Sequence, residues 1–141
     1  MAGKSIKISG AKIAVIGAAS LVGSATAEAL LAAGAGKVVL LDNFAFGSMD
    51  AIAHLTDDPR VSVVRADVMR LHELVAATDG MDGVLHLAAY MTLGFAETPW
   101  NAIDVNIRGA QNMLEACRIN GVGKVVFASS NHAIGTNETA N

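Results

Sequence analysis

The chain has 141 residues, enough for one domain around one core, and sets 10 basic against 13 acidic residues for a net charge of −3, with no basic cluster to meet a nucleic-acid backbone. Hydrophobic residues make up 52% of it, much of this alanine, yet no apolar run approaches the roughly 20 residues of a membrane span. The start, Met1 to Lys7, lacks the apolar stretch of a secretory signal, so a cytoplasmic protein is expected; a lone Cys117 excludes an internal disulfide, and the separated His54, His72, His86 and His132 give no metal-ligand spacing.

Residues 1–11 read as an extension. The first strand is expected over Lys12–Ile16, followed by a glycine turn from Gly17 to Gly23 and a helix over Leu21–Ala33. A strand, a tight glycine turn and a helix start in immediate succession present free N–H groups to an anion, the arrangement that binds a dinucleotide pyrophosphate. Ser20 stands where the middle of three glycines is usual; it is small enough for close backbone approach, and its hydroxyl is placed to donate to a phosphate oxygen. Two glycines in a tight turn also serve purely structural ends, so the next strand matters. That strand, Lys37–Asp42, ends in a carboxylate where the adenosine ribose would offer hydroxyl donors.

A helix is expected over Asp50–Thr56, a strand over Val61–Ala66, a helix over Val68–Thr78 and a strand over Gly83–Leu87. A long helix over Thr98–Asn120 and a strand over Lys124–Ser129 complete the alternation. Gly34-Ala35-Gly36 and Asn120-Gly121-Val122-Gly123 stop helices directly before strands. The strands are too apolar to face water on either side, so the fold class is α/β, a doubly wound parallel sheet with a single core domain over 1–141. Cys117, among Met113, Leu114 and Ala116, reads as core packing. Ligands of such sheets bind at the carboxyl strand ends, which here carry Asp67-Val68, Ala88 to Thr92, and Ser129-Ser130-Asn131-His132.

The glycine turn, Leu41-Asp42-Asn43, Ala66-Asp67-Val68, His86-Leu87-Ala88-Ala89, Asp104-Val105-Asn106 with Gly109, and Phe127-Ala128-Ser129-Ser130 followed by Gly135 together resemble the extended short-chain dehydrogenase/reductase family. The resemblance runs from Lys12 to Gly135 and implies a Rossmann fold with NAD as cofactor. It implies that Gly17, Ser20, Leu21, Val22 and Gly23 hold the pyrophosphate, that Asp42, with Asn43 beside it, selects NAD by repelling a 2′-phosphate, and that Asp67 and Val68 meet the adenine. Leu87, Ala88 and Ala89 would pass beneath the nicotinamide ribose, and Asn106 would brace the active-site helix. Each has a structural counterpart: Asp67 as a helix N-cap before Val68, Asn106 as a capped or solvated helix residue, His132 as a loop histidine bonded to backbone.

The resemblance makes Ser130 the catalytic hydroxyl and Thr92, Asn131 and His132 substrate contacts, the Ser-Asn-His loop being similar to that of uronate dehydrogenases. Its Tyr-x-x-x-Lys base pair is not in the sequence: Tyr90 is the only tyrosine, and four residues on stands Gly94 rather than lysine. The 141 residues alone are therefore expected to be inactive, lacking the C-terminal strands and substrate lobe, with 136–141 as a truncated or disordered tail. The implied activity is hydride transfer between NAD and a sugar or sugar-acid hydroxyl. The alternatives are a nucleotide-sugar epimerase or dehydratase with transient NAD reduction, and a non-catalytic NAD-binding or sensor domain. A homodimer is implied through the long helix, whose apolar residues Ile103, Ile107, Met113, Leu114 and Cys117 could equally face only the sheet.

Overall fold

Short runs of valine, isoleucine and leucine form five strands, which the computed structural model, describing residues 7–130, joins into one sheet. These are β1 (Lys12–Ile16), β2 (Lys37–Asp42), β3 (Val61–Arg65), β4 (Gly83–His86) and β5 (Lys124–Phe127), all parallel in the order β3-β2-β1-β4-β5. The order reverses at β1, whose Ile16 pairs with Leu41 of β2 on one side and His86 of β4 on the other. A crevice opens at such a reversal because the two following connections leave toward opposite faces.

Helix α1 (Leu21–Ala32) covers one face, where its Ala27 and Leu30 pack with Ile13, Val15, Val38 and Leu40. Helices α2 (Leu71–Thr78) and α5 (Ala110–Ile119) cover the other, placing Leu74, Met113, Ala116 and Cys117 against Ala14, Ile16, Val39, Leu41 and Val84. Cys117 is buried, and its thiol lies 3.8 Å from the Met113 sulfur. No helix among the described residues is long and apolar enough to cross a membrane.

Several expected boundaries move. In place of a helix over Asp50–Thr56 there are two 3₁₀ turns, Met49–Ala51 and Ala53–Leu55, broken at Ile52 (φ −120°, ψ 1°), whose side chain is fully buried. Helix α2 begins at Leu71 rather than Val68, because the Asp67 carboxylate accepts the Met69 N–H and closes a turn of its own. The long helix over Thr98–Asn120 is in three parts. Thr98 (φ −137°, ψ 68°) precedes Pro99, which excludes the helical region for the residue before it and starts α4 (Pro99–Ile103). A π-helical turn, Asp104–Gly109, then leads into α5. A helix with no sequence expectation, α3 (Thr92–Glu97), comes before them. The outer strands are also less enclosed than their apolar sequences imply: β3 is only half-buried, and Val126 and Phe127 of β5 are exposed.

Candidate functional site

The carboxyl edge of the sheet is organised around the glycine turn. Gly17 has φ +87°, and a Cβ there would stand 2.7 Å from the Ala88 nitrogen, so the turn can press against the segment after β4 only as glycine. A Cβ on Gly23 would stand 2.3 Å from the Gly17 carbonyl oxygen. Ser20 is the N-cap of α1: its hydroxyl accepts the Gly23 N–H at 3.0 Å and donates to the Gly17 carbonyl at 2.8 Å. Without a ligand its hydroxyl is thus engaged inside the turn, where it fixes the turn's shape. The amides of Leu21 and Val22 precede any i−4 acceptor of the helix and lie at an exposed end, Leu21 being 86% exposed.

Asp42 ends β2 half-buried, with one carboxylate oxygen accepting the Ala19 N–H at 2.9 Å and the other the Phe44 N–H at 2.8 Å. It therefore ties the glycine turn to the loop after β2, and each oxygen keeps a second lone pair for a hydroxyl donor. Asn43 continues the tie: its amide donates to Asp67 at 3.2 Å while its oxygen accepts the Ala45 N–H. Asp67 receives Asn43 and Met69 on its carboxylate and gives its own N–H to Glu73. It caps a turn, not the helix start expected at Val68. Val68 is buried, packs on Gly109 and offers its carbonyl to Asn112.

These loops enclose a crevice of about 380 Å³ lined by Ile16, Gly17, Ser20, Asp42, Asn43, Asp67, Val68, Leu87, Ala88 and Ala89 among others. Small residues after β4 leave the floor open. Asn106 is not part of the lining. It lies on the π-helical turn and grips Tyr90, accepting its N–H at 2.8 Å and donating to its carbonyl at 3.1 Å, so it braces the loop after β4 rather than a helix or the cofactor directly. Thr92 begins α3. Ser130 is exposed beyond β5 and is not among the lining residues. Asn131 and His132 lie outside the described residues.

Sequence reasoning missed part of the lining, Ala19, Ala45, Phe46, Gly47, Met69 and Asn101, whereas Tyr90, Asp104 and Val105 stood in the stretches it singled out without a contact of their own. Phe46 and Tyr90, from loops on opposite sides of the crevice, meet edge to face with centroids 5.1 Å apart. The signal for the first was Gly47, where a Cβ would lie 2.4 Å from the Ala19 oxygen and so pins that loop to the glycine turn. Beneath the site, His86 is 2% exposed and stacks on Phe127 at 5.3 Å. Its Nδ1 has no partner among the described residues, and burial pushes the imidazole down to about 4.

A doubly wound parallel sheet with this turn, a helix N-terminus and a β2 carboxylate at the topological switch defines a dinucleotide-binding Rossmann domain. The chain belongs to the NAD dependent epimerase/dehydratase family, whose sequence model matches residues 13–141. It is 36% identical over 121 residues to the UDP-glucose 4-epimerase of Lacticaseibacillus casei, covering 84% of this chain and 35% of that protein. It is 33% identical over 82 residues to human 3 beta-hydroxysteroid dehydrogenase type 7, covering 58% of this chain and 22% of that protein. Among solved structures, a double mutant of dTDP-glucose 4,6-dehydratase from Streptomyces venezuelae, with NAD bound, superposes with a TM-score of 0.86 at 27% identity, covering 92% of this chain and 42% of that one. The chain thus spans about a third of the length or less of the UDP-glucose 4-epimerases it matches here, 35% in two bacterial examples and 23% in a third.

The family's cofactor is NAD, and the residues present fit it. The turn carries glycine at its two closest backbone approaches, Gly17 and Gly23, the Leu21 and Val22 amides stand at the helix start, and a carboxylate stands at the β2 end.

Proposed function

We propose that this chain is the NAD-binding part of an enzyme that moves a hydride at a sugar hydroxyl carbon of a nucleotide sugar, as a 4-epimerase or dehydratase does. The observation that carries the reading is the glycine turn seated on Ala88 with the Asp42 carboxylate tied to the same turn. NAD supplies a hydride acceptor when bound. The protein's part is to hold its two ends. Leu21 and Val22 amides meet the pyrophosphate, Gly17 and Gly23 allow its approach, and Asp42 with Asn43 accepts the adenosine ribose and repels a 2′-phosphate.

Asp67 and Val68 border the adenine, and Leu87, Ala88 and Ala89 underlie the nicotinamide ribose, held in place by Asn106 through Tyr90. Ser130, at the carboxyl side of β5, is the hydroxyl that hydrogen-bonds the reacting substrate oxygen, and Thr92, Asn131 and His132 are the residues assigned to the sugar. The base and the substrate lobe belong to the rest of the protein. A cytoplasmic setting is part of this reading. So is a homodimer, supported by the division of the apolar stripe: Met113 and Cys117 are buried, whereas Ile103, Ile107 and Leu114, with Trp100 beyond them, face outward at 38–79% exposure.

The test is to incubate the full-length protein and NAD with a panel of UDP-sugars, dTDP-sugars and free uronates and follow both sugar conversion and NADH. Conversion without accumulation of NADH is expected. Stoichiometric NADH from a uronate or other sugar acid would favour instead a net dehydrogenase, the reading suggested by Ser130-Asn131-His132. NAD binding without turnover of any of these substrates would favour a sensor domain.

A further inference from the structure

The carboxylate that sets cofactor choice has a cationic neighbour. Asp42 and Arg65 are register partners at the last positions of β2 and β3, so their Cα atoms are adjacent across the ladder, about 5 Å apart. They also share a face. Val63 belongs to the core beneath α1 and Val64 to the opposite core, which by alternation brings Arg65 out on the α1 side; Leu40 and Leu41 alternate the same way and bring Asp42 out on that side too.

Arg65 is exposed and makes no ion pair with any described carboxylate, Asp42 included. Its guanidinium instead stands 6.0 Å from the centroid of the Phe44 ring. At that distance and exposure the ring is a weak hold. Phe44 is itself fixed in a left-handed conformation (φ 59°), with its N–H on the Asp42 carboxylate, so the ring and the guanidinium stand beside the crevice at the point where Asp42 lines it.

We propose that Arg65 is a second determinant of cofactor choice: a cation, parked on Phe44, that would take a 2′-phosphate of the adenosine ribose and is overruled by Asp42. The proposal rests on the reading that Asp42 faces that ribose. A phosphate on the 2′-oxygen would enter where the Asp42 carboxylate now accepts hydrogen bonds. An arginine rooted one strand away, with a side chain long enough to cross that gap, offers it a two-pronged donor. Rejection of NADP is then the difference between repulsion by Asp42 and attraction by Arg65, and each residue shifts it in the opposite direction.

The test uses the full chain freed of nucleotide and titrated calorimetrically with adenosine 5′-monophosphate and adenosine 2′,5′-bisphosphate, which differ only in the 2′-phosphate. Asp42→Ser should raise bisphosphate affinity relative to the monophosphate roughly tenfold or more, Arg65→Leu added to it should abolish that gain, and Arg65→Lys should retain part of it. Arg65→Leu alone should weaken the bisphosphate and leave the monophosphate unchanged. Because Asp42 also anchors Ala19 and Phe44, Asp42→Asn, which keeps one accepting oxygen, provides the same comparison with less disturbance of the loop.

A gain that survives Arg65→Leu overturns the role of Arg65 and leaves the Asp42 reading standing. Monophosphate and bisphosphate affinities both unchanged by Asp42→Ser and Asp42→Asn overturn the two together.

Discussion

At the residue scale, the crevice depends on atoms that are missing. Gly17→Ala places a methyl 2.7 Å from the Ala88 nitrogen at φ +87°, and Gly23→Ala places one 2.3 Å from the Gly17 oxygen. The first adds a left-handed penalty of about 1–2 kcal/mol to the clash, so both variants should unfold at lower temperature and lose NAD binding. Unchanged melting together with unchanged NAD affinity in either would show that the turn is looser than its contacts imply.

Asn106 works through partners instead. Truncation to alanine removes both bonds to the Tyr90 backbone and should cost about 1–3 kcal/mol in chemical denaturation. It should also release NAD faster, because the loop after β4 forms one wall of the crevice. These two residue types differ in how far the sequence exposes them. The glycine turn is legible because a local pattern fixes a local conformation. Asn106 is legible as a brace only through the family resemblance and its partner not at all, because that partner lies sixteen positions away in the chain and is a backbone group, which any residue type could supply.

At the scale of elements, the strands were readable from their apolar runs and the helices less so. Ile52 and Leu55 have the i, i+3 spacing of a helix face, but 3₁₀ turns share that spacing, and burial of both is satisfied without a continuous helix. The break at Thr98 follows from Pro99, a signal present in the sequence, whereas nothing in the sequence marks the π-helical turn that follows. The β4–β5 pair makes a prediction about pH. His86 is held neutral between the sheet and its helix layer, with its pKa lowered from 6.5 to about 4.

As the pH falls below 6.5 the unfolded chain takes up a proton that the folded one refuses, so stability declines between 6.5 and about 4. The loss at the acid end is on the order of 3 kcal/mol. Urea denaturation of the wild type and of a His86→Phe variant should therefore diverge in pH dependence across that interval. Parallel curves would mean that His86 is not desolvated in solution. Asp58, whose carboxyl is held down to about 2 by hydrogen bonds from Arg60, adds a further decline below its ordinary value of 3.8, so the His86 comparison belongs above that range.

At the scale of the whole molecule, the sheet order, the carboxyl-edge crevice and the family agree on an NAD-binding domain, and the exposed stripe on α4, the π-helical turn and α5 offers a surface for association. Ile107→Lys, which puts a charge in the middle of that stripe, should shift the full-length protein from dimer to monomer in sedimentation while NAD binding persists. An unchanged sedimentation profile would contradict the association surface proposed for this stripe. The architecture was legible because each βαβ unit carries its own strand and stop signals. The substrate was not, because the sequence places its expected contacts at Ser130-Asn131-His132 and Thr92, and specificity rests on side chains that converge only in three dimensions.

The most direct measurement is the nucleotide released when freshly purified full-length protein is denatured, identified by chromatography and quantified against protein, with an NAD titration of the stripped chain beside it. The account predicts NAD or NADH near one per chain or a saturable NAD isotherm, and loss of both in the Gly23→Ala variant. No released nucleotide with no NAD binding by the wild type, or full binding by Gly23→Ala, would contradict it.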